Sequence, residues 1–545
     1  MHKLSQPQMH HLLPTFSDAH STVLFGVAVL SILLAIRGIL RSIRESNNAL
    51  PLPPGPKPLP VVGNLLDMPK DWPWHAFQAW CEKYGDVLFL KLPKASLLVL
   101  GSFEAATDLL EKRSAIYSDK STTEMMKLMR WEWSMAIMPY GPTWREHRRI
   151  AHQYLNYDAV KQYRTLQLEE IRACLSRMLE TPLHAKEHIH QAVTGIITRM
   201  VYGMRLKSMD DEYIELAETA TRGFAQALIP GAYFVDILPI LRYIPCWVPG
   251  VKGRKLAEEY KPFVLGMRDM PFDEVKEKIN RGDAEPSMAA SLVTKLQEEY
   301  KTTNLTFEQD GTARCVAGQL YAAAADTTNA SSLVFLLAMA LHPEVQRKAQ
   351  AELDQKVLGT KRLPDFDDLP ELVYIEAITL EVLRWLPVAP IGATHRVMED
   401  DEYKGYRIPK GTVVMANGWQ ILHKPEDYPD PEAFKPERFI KYGKINTDVR
   451  DPSTVAFGFG RRYITLSLSQ RRRHLAYNSL VMIIASLLHV FDIAPGVDES
   501  GKPIKLTTEP KPGLIITVKD CPKSFTPRST NAARIVREGT EDLVN

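Results

Sequence analysis

The chain has 545 residues, with Lys+Arg 67 against Asp+Glu 65 and a formal charge of +2. The length is compatible with two to four ordinary domains. The near-neutral balance argues against a nucleic-acid-binding protein, which needs a basic face to neutralise phosphates. Hydrophobic residues at 45% and charged residues at 24% are ordinary globular values and exclude wholesale disorder. The 38 prolines predict long irregular connections, since they make up about 7% of the chain against a usual level of about 5%. Cys81, Cys174, Cys246, Cys315 and Cys521 lie far apart with no CxxC spacing. That argues against a zinc site or disulfide framework and suits a reducing compartment.

In chain order, the first feature is apolar. Ser21 to Ile36 carries no charge, and Gly38, Ile39 and Leu40 extend the stretch beyond Arg37. A helix needs about 20 residues to cross the hydrocarbon core, so 21–40 is expected to be a transmembrane signal-anchor helix, with Arg37 snorkelling to the interface. Arg37, Arg41 and Arg44 follow it and only Lys3 precedes it. The positive-inside rule therefore puts residues 1–20 in the lumen and the body in the cytosol. A cleaved signal peptide fits less well, because no small-residue cleavage site follows and the basic residues sit on the wrong flank. Residues 41–60 form a basic, proline-rich hinge ending in PLPPGPKPLP, which is stiff and cannot be helical.

The body, 61–522, reads as mainly α with a small β portion. Asp71–Lys83 is a predicted helix, with Gly85 just past its end. Val87–Leu90 and Leu97–Leu100 are expected to form a hairpin. Further helices are expected over Glu104–Arg113, Thr143–Tyr154, Tyr163–Leu179, Glu187–Val201, Ala313–Leu341, Pro343–Lys356 and Leu372–Leu386. Strands are expected near Gly392–Val397, Thr412–Ala416 and Leu514–Val518. The polar tail 523–545 is expected to be disordered. Two apolar regions broken by Gly and Pro, 125–142 and 224–250, suit pocket walls, a patch dipping into lipid, or loops packed on the core. No GxGxxG or GxxxxGK[ST] loop supports a nucleotide-binding fold. The glycosylation patterns at Asn304 and Asn329 fall in the expected cytosolic body and carry no weight. His75, His147 and His152 lack metal-ligand spacing and read as structural.

Four motifs carry chemistry. Ala322–Thr328, AAAADTT, places the acid–alcohol pair Asp326–Thr327 in a long apolar helix. A hydroxyl there can bond back to the preceding turn, and the pair could relay protons, although a helical Thr is more often satisfied core. Glu381-x-x-Arg384 puts both groups on one helix face, a pairing that on a surface contributes little; Arg438 in Phe434-Lys-Pro-Glu-Arg-Phe439 could join them in a buried structural cluster. Trp144 and Arg148, four apart, share a face and could hold a carboxylate-bearing ligand. Phe457-Gly-Phe-Gly-Arg-Arg462 is a turn whose glycines let backbone approach a flat ligand.

In this order and spacing the chain resembles the cytochrome P450 family of haem-thiolate monooxygenases over nearly its whole length, most of all the membrane-anchored fungal members of secondary metabolism. The shared features are the anchor with PPGPKPLPVVGNL, Trp144-x-x-x-Arg148, Ala-Ala-x-Asp326-Thr327-Thr328, Glu381-x-x-Arg384, Pro387-x-x-Pro390, His395-Arg396, Pro436-Glu-Arg-Phe439 and the Phe457–Arg462 turn. The resemblance implies a long central helix over haem b and electrons from NADPH through NADPH-cytochrome P450 reductase. It also implies a lipophilic substrate, membrane lipid as a partner and an endoplasmic reticulum location. Trp144, Arg148, Arg396 and Arg462 would contact the haem propionates. Asp326 and Thr327 would deliver protons, and Glu381, Arg384 and Arg438 would form a structural triad. Ala324 replaces a frequent Gly in the oxygen groove, with a mild effect expected.

The resemblance breaks after Arg462. The family continues x-Cys-x-Gly, with the Cys thiolate on iron; here Ile464 stands at the Cys position, Leu466 at the Gly, and no cysteine lies between Cys315 and Cys521. The pattern resumes at Arg473-His-Leu-Ala476. Ile cannot bind iron, and thiolate donation is what favours O–O cleavage in this class. Tyr463 or His474 are conceivable substitutes. Tyr463–Gln470 could be encoded by a pyrimidine-rich stretch ending in CAG, as an intron's 3′ end often is, so a splicing or gene-model origin of this segment is expected. The alternative is a catalytically impaired or non-catalytic haem- or ligand-binding membrane protein. A redox-independent isomerase or dehydratase is disfavoured by Asp326–Thr327, since such enzymes need no dioxygen proton relay.

Overall fold

Thr306 fixes the start of the longest helix. Its side chain accepts from the third helical residue, while Gln309 Oε1 accepts from the Thr306 backbone N–H at 2.8 Å, a reciprocal cap that satisfies two otherwise orphaned donors. The expected start at Ala313 is therefore six residues late. The computed structural model describes residues 37, 50–69, 71–93, 95–206, 208, 211–228, 233–244, 252–357, 362–462, 474–511, 513 and 515–541. The expected anchor 21–40, apart from Arg37, lies outside the described residues, as do 1–20, 41–49 of the hinge and the segment 463–473 that contains Ile464.

Contacts divide the chain into two units. The smaller joins Met1–Pro53 to Asp401–Ile408; in it, Asp401–Tyr403 and Tyr406–Ile408 form an antiparallel hairpin, and the Arg407 N–H donates to the Pro51 carbonyl at 2.9 Å. The larger joins Pro54–Asp400 to Pro409–Asn545 and is mostly helical. Its longer helices are α1 (Pro73–Tyr84), α2 (Pro142–Leu155), α3 (Arg164–Glu180), α4 (Ala185–Tyr202), α5 (Glu212–Ala227), α6 (Lys252–Arg281), α7 (Met288–Tyr300), α8 (Phe307–Leu341), α9 (Pro343–Lys356), α10 (Val373–Trp385), α11 (His474–Val490) and α12 (Thr530–Glu541). A four-stranded sheet contains β1 (Val87–Lys91), β2 (Ser96–Leu100), β3 (His395–Arg396) and β4 (Val413–Ala416), in the order β1-β2-β4-β3. β1 and β2 are antiparallel, with Val87 opposite Leu100. β2 and β4 are parallel, with Leu97 opposite Val413. Phe77 and Cys81 of α1 pack on Leu88, Leu90, Leu97 and Val99 of this sheet.

α8 is the axis of the larger unit. It packs on α2, α4, α6, α7 and α11. It is long and apolar enough to cross a membrane, but 67% of its most apolar window is buried inside the protein. It is a core helix.

Differences from the sequence reading have local causes. Glu104–Arg113 is helical but changes pitch: Phe103–Ala106 is α and Thr107–Lys112 is π. The tail 523–545, expected to be disordered, instead begins with the strand Ser524–Pro527, paired antiparallel with Phe491–Ala494, and continues as α12. The reason is amphipathicity. Ala532, Ala533, Ile535 and Val536 are buried, and α12 packs on α3, while Arg534, Arg537 and Glu538 stay exposed. Truncating Ile535 to alanine is expected to cost about 2–5 kcal/mol, the range for deleting a buried branched side chain. Urea unfolding of Ile535→Ala beside Arg537→Ala should show a lower midpoint for the first alone. Equal midpoints would mean that the tail does not hold the fold.

The two apolar regions part company. Met125, Met126, Trp131, Trp133, Met135, Ile137 and Met138 are all buried, so 125–138 packs on the core. In the other region, Phe234, Leu238, Ile240 and Tyr243 are exposed.

Candidate functional site

The turn Phe457–Arg462 delivers one arginine inward. Gly460 has φ +83°, and a Cβ there would lie 2.6 Å from the Leu110 carbonyl, so only glycine fits this left-handed, close-packed position. Beyond it the Arg462 guanidinium donates to three backbone carbonyls: Met135 at 2.9 Å, Ser118 and Met138. Arg462 thus ties the loop 131–138 to the segment 116–120. That segment runs beside β3, with the Arg396 N–H donating to the Asp119 carbonyl at 2.8 Å and His395 Nδ1 meeting the Tyr117 carbonyl at 2.8 Å.

Around Arg462 gather more cations than one carboxylate can match. Lys120 is buried and its ammonium donates to the Thr394 carbonyl. Arg396 pairs with Asp119, Nε to Oδ2 at 2.8 Å. Arg148 and Arg462 lie over the Trp144 ring at 5.6 and 5.0 Å. Burial pushes the Lys120 pKa down to about 7, with Arg462 adding to the effect against Asp119. Burial likewise lowers Arg462 to about 10 and Arg148 below its ordinary value, and holds His395 well below the usual histidine range. Burial raises the Asp119 carboxyl, but the Tyr140 N–H and the Arg396 guanidinium outweigh it and hold that group below its ordinary value. Trp144 is 1% exposed, and its indole N–H is buried without an acceptor.

Such a cluster is costly as it stands, because buried charge is tolerated only when paired. Surplus cations beside an orphaned N–H fit a ligand that brings carboxylates. A haem, with two propionates, matches that donor set on its carboxylate edge. Sequence reasoning missed Lys120 and Asp119; as neighbours in a short polar run they look like any solvated pair.

α8 supplies the second part. Residues 313–321 and 330–340 are buried, yet Ala323 and Thr327 between them, one turn apart on one face, are exposed. Thr327 Oγ1 donates to the Ala323 carbonyl at 3.2 Å, the back-bond that loosens a helix locally. Asp326 points elsewhere. It lines a narrow cleft between α4, α5 and α8 with His190, Thr194 and Glu218, and Thr194 Oγ1 is buried there with no partner. The acid and the alcohol therefore occupy neighbouring sides of α8, the alcohol on the face of small residues and the acid toward the cleft against α4 and α5.

The structure brings Glu381, Arg384 and Arg438 together. Arg384 donates to both Glu381 oxygens at 2.8 Å, and Arg438 Nε reaches Glu381 at 3.3 Å. The remaining guanidinium N–H groups serve carbonyls of Leu422, Pro429, Asp430, Pro431 and Ala433. Glu381 and Arg384 are wholly buried. This cluster bolts α10 to the 429–438 loop.

The sequence model of the Cytochrome P450 family matches residues 53–516. The chain belongs to the cytochrome P450 family. Relatives of this P450 include the cytochrome P450 monooxygenase COX2 of Coprinopsis cinerea, 37% identical over 530 residues and 97% of each chain. The cytochrome P450 monooxygenase ple1 of Rhodocybe pseudopiperita is 37% identical over 490 residues, 89% of this chain and 91% of the relative. The tryptamine 4-monooxygenase of Psilocybe cyanescens is 35% identical over 503 residues, 91% and 96%. The P450 is accordingly a haem b-dependent monooxygenase that takes electrons from a redox partner and acts on a lipophilic substrate.

The iron ligand is a separate matter from the carboxylate clamp. Cys81 and Cys174 are pushed up to about 12, and Cys315 and Cys521 to about 11, all by burial. These four thiols stay protonated at neutral pH. Ile464, which the sequence comparison with the family places at the cysteine position, lies outside the described residues.

Proposed function

We propose that this P450 inserts one atom of dioxygen into a lipophilic secondary metabolite, as a single-pass protein of the endoplasmic reticulum membrane with its body in the cytosol. Its electrons come from NADPH through NADPH-cytochrome P450 reductase. The surplus of cations, one buried and three half-buried, around the unpartnered Trp144 N–H carries the reading. Bound haem iron supplies dioxygen binding and reductive activation. Trp144, Arg148, Arg396 and Arg462, with Lys120, hold its propionates and fix its orientation. Thr327 holds a proton on the open face of α8, and Asp326 exchanges protons with the cleft beside Glu218. Glu381, Arg384 and Arg438 keep the fold closed behind this site.

The membrane assignment is supported by the charge asymmetry about residues 21–40 and by exposed Phe234, Leu238, Ile240 and Tyr243, a cluster along one segment that suits a lipid surface. Arg145 and Arg149 on the exposed face of α2 suit an acidic redox partner.

Ile464 makes the thiolate the point to test. The transcript should be sequenced across the codons for Phe457 to Leu475, and the encoded protein reduced under carbon monoxide. A Cys-x-Gly between Arg462 and His474, with a thiolate-type Soret shift, is expected. A transcript that encodes Ile464 as written, with haem bound but no such shift, would leave a haem protein unable to split dioxygen in the family's manner.

A further inference from the structure

The chain continues past residue 516, where the match to the family model ends, and folds back on the body. The strand Ser524–Pro527 pairs with Phe491–Ala494, and α12 lies on α3 and α11. Apolar contact is only part of what holds this segment. Of the side chains that α12 buries, Ala532, Ala533, Ile535 and Val536, two are alanines, so little apolar area leaves water. The rest of the grip is polar. Arg528, between the strand and α12, donates to both oxygens of Asp354 on α9, at 2.9 and 2.7 Å. Its Nη1 also reaches the His489 carbonyl at 3.4 Å, and its backbone N–H donates to the Val490 carbonyl at 2.9 Å.

Next to Arg528 sits His489, in the last turn of α11. It is 0% exposed, and both ring nitrogens are buried without a partner. A neutral imidazole carries one donor and one acceptor, and buried polar groups are almost always paired, so this ring is held in place by its surroundings alone. The charged groups that face it are Arg528 of the tail, Asp354 of α9 and Asp368 of the loop 362–368, with the Arg362 backbone alongside. α3, α8, α10 and α12 also pack on α11, and no charged group of theirs matches these in effect.

Both carboxylates are already taken. Arg528 holds Asp354 by two bonds, and Arg362 holds Asp368 by two, at 2.7 and 2.6 Å. The second pair is local to its loop, where Asp368 also accepts from the Asp365 N–H at 2.8 Å. The Arg528–Asp354 pair spans 174 residues of sequence and must open if the tail is to leave. An imidazolium at this place needs a carboxylate, because buried charge is tolerated only when paired.

We propose that His489 is an acid-sensitive catch for the C-terminal segment 524–541. A proton on its ring sets the imidazolium against Arg528 for Asp354, and the strand and α12 loosen from α9, α11 and α3. With the imidazole neutral, Asp354 belongs to Arg528 and the segment stays docked. Burial pushes the His489 pKa down to about 4, with Arg528 adding to the effect against Asp354 and Asp368, whereas a solvated histidine titrates at about 6.5. Docking is therefore at full strength above about pH 6.5 and weakens as the pH falls toward 4.

Hydrogen–deuterium exchange read by mass spectrometry on the full-length protein at pH 7.5 and 5.5 tests this, once the intrinsic pH dependence of exchange is divided out. Protection of peptides within 524–541 should fall about ten-fold at the lower pH, the effect of one such histidine one unit below its solvated value. His147, His395 and His423 are buried elsewhere in the protein, so a variant assigns the effect. His489→Gln cannot take up the proton and should remove the fall. Arg528→Gln breaks the clamp from the other side and should leave the segment poorly protected at both pH values, which decides the matter if His489→Gln does not fold. Protection of 524–541 that is the same at both pH values, a fall that survives His489→Gln, or an Arg528→Gln tail as protected at pH 7.5 as the parent's would each overturn the proposal.

Discussion

Replacing Glu381 by alanine is expected to destabilise the protein by about 3–5 kcal/mol, the cost of breaking a buried ion pair from one side. The loss is large because Glu381 serves two guanidiniums and, through Oε1, the Lys435 backbone N–H at 2.8 Å. Its removal strands Arg384, which is wholly buried, with no carboxylate in reach. The carbonyls of Leu422, Pro431 and Ala433 accept from Arg384 but cannot neutralise it. Glu381→Gln keeps the shape and one acceptor and is expected to lose less, while Glu437→Gln, on an exposed pair with Lys348, should lose under about 1 kcal/mol. Denaturant unfolding with near-UV circular dichroism measures all three. An alanine variant as stable as the parent would mean that the triad is not what closes the loop 429–438 onto α10.

The second large effect is a pH dependence of porphyrin binding. Lys120 has its pKa lowered to about 7 by burial. Between pH 7 and its ordinary value near 10.5 the unfolded chain holds this proton and the folded protein does not. The stability of the ligand-free protein therefore rises with pH across that window, and below pH 7 the full cost of the buried charge is present. A dicarboxylate ligand reverses the preference, since it favours the charged ammonium and raises its pKa. Binding above pH 7 must then take up a proton, and affinity should fall by up to about ten-fold per pH unit. Iron-free protoporphyrin IX is the suitable probe, because it keeps both propionates and needs no axial ligand; its fluorescence on binding gives the affinity from pH 6.5 to 9. Lys120→Met should flatten the profile. Trp144→Phe, which removes the unpartnered N–H, should weaken binding at every pH and leave the slope intact. A profile flat in the unaltered protein would remove Lys120 from the propionate site.

The triad was legible because its partners have fixed spacing. Glu381 and Arg384 share a helix face at three residues, and the 436–439 turn brings Arg438 in by a short path. Trp144 and Arg148 were legible for the same reason. Lys120 was not, since its role depends on β3 running beside 116–120, a pairing nearly 280 residues apart in sequence. The tail was misread because polarity was judged along the chain rather than around a helix: Ala532, Ile535 and Val536 recur at three and four residues and needed only α3 to cover them.

Local periodicity and motif order thus determined the mainly helical class, the long core helix, the sheet strands and the family. Those signals are short-range, and they survive because a helix face or a strand alternation is written within a dozen residues. What only the tertiary structure decided was which charges are buried together and which donors are left without acceptors. It gathered Lys120, Arg396 and Arg462 about one aspartate, with Arg148 sharing the Trp144 ring with Arg462, and it turned Asp326 and Thr327 to different sides of α8. It also left the indole N–H groups of Trp131 and Trp133 buried without acceptors. Burial sets the energy of a charge or a donor, and burial belongs to elements that meet only after the chain has folded.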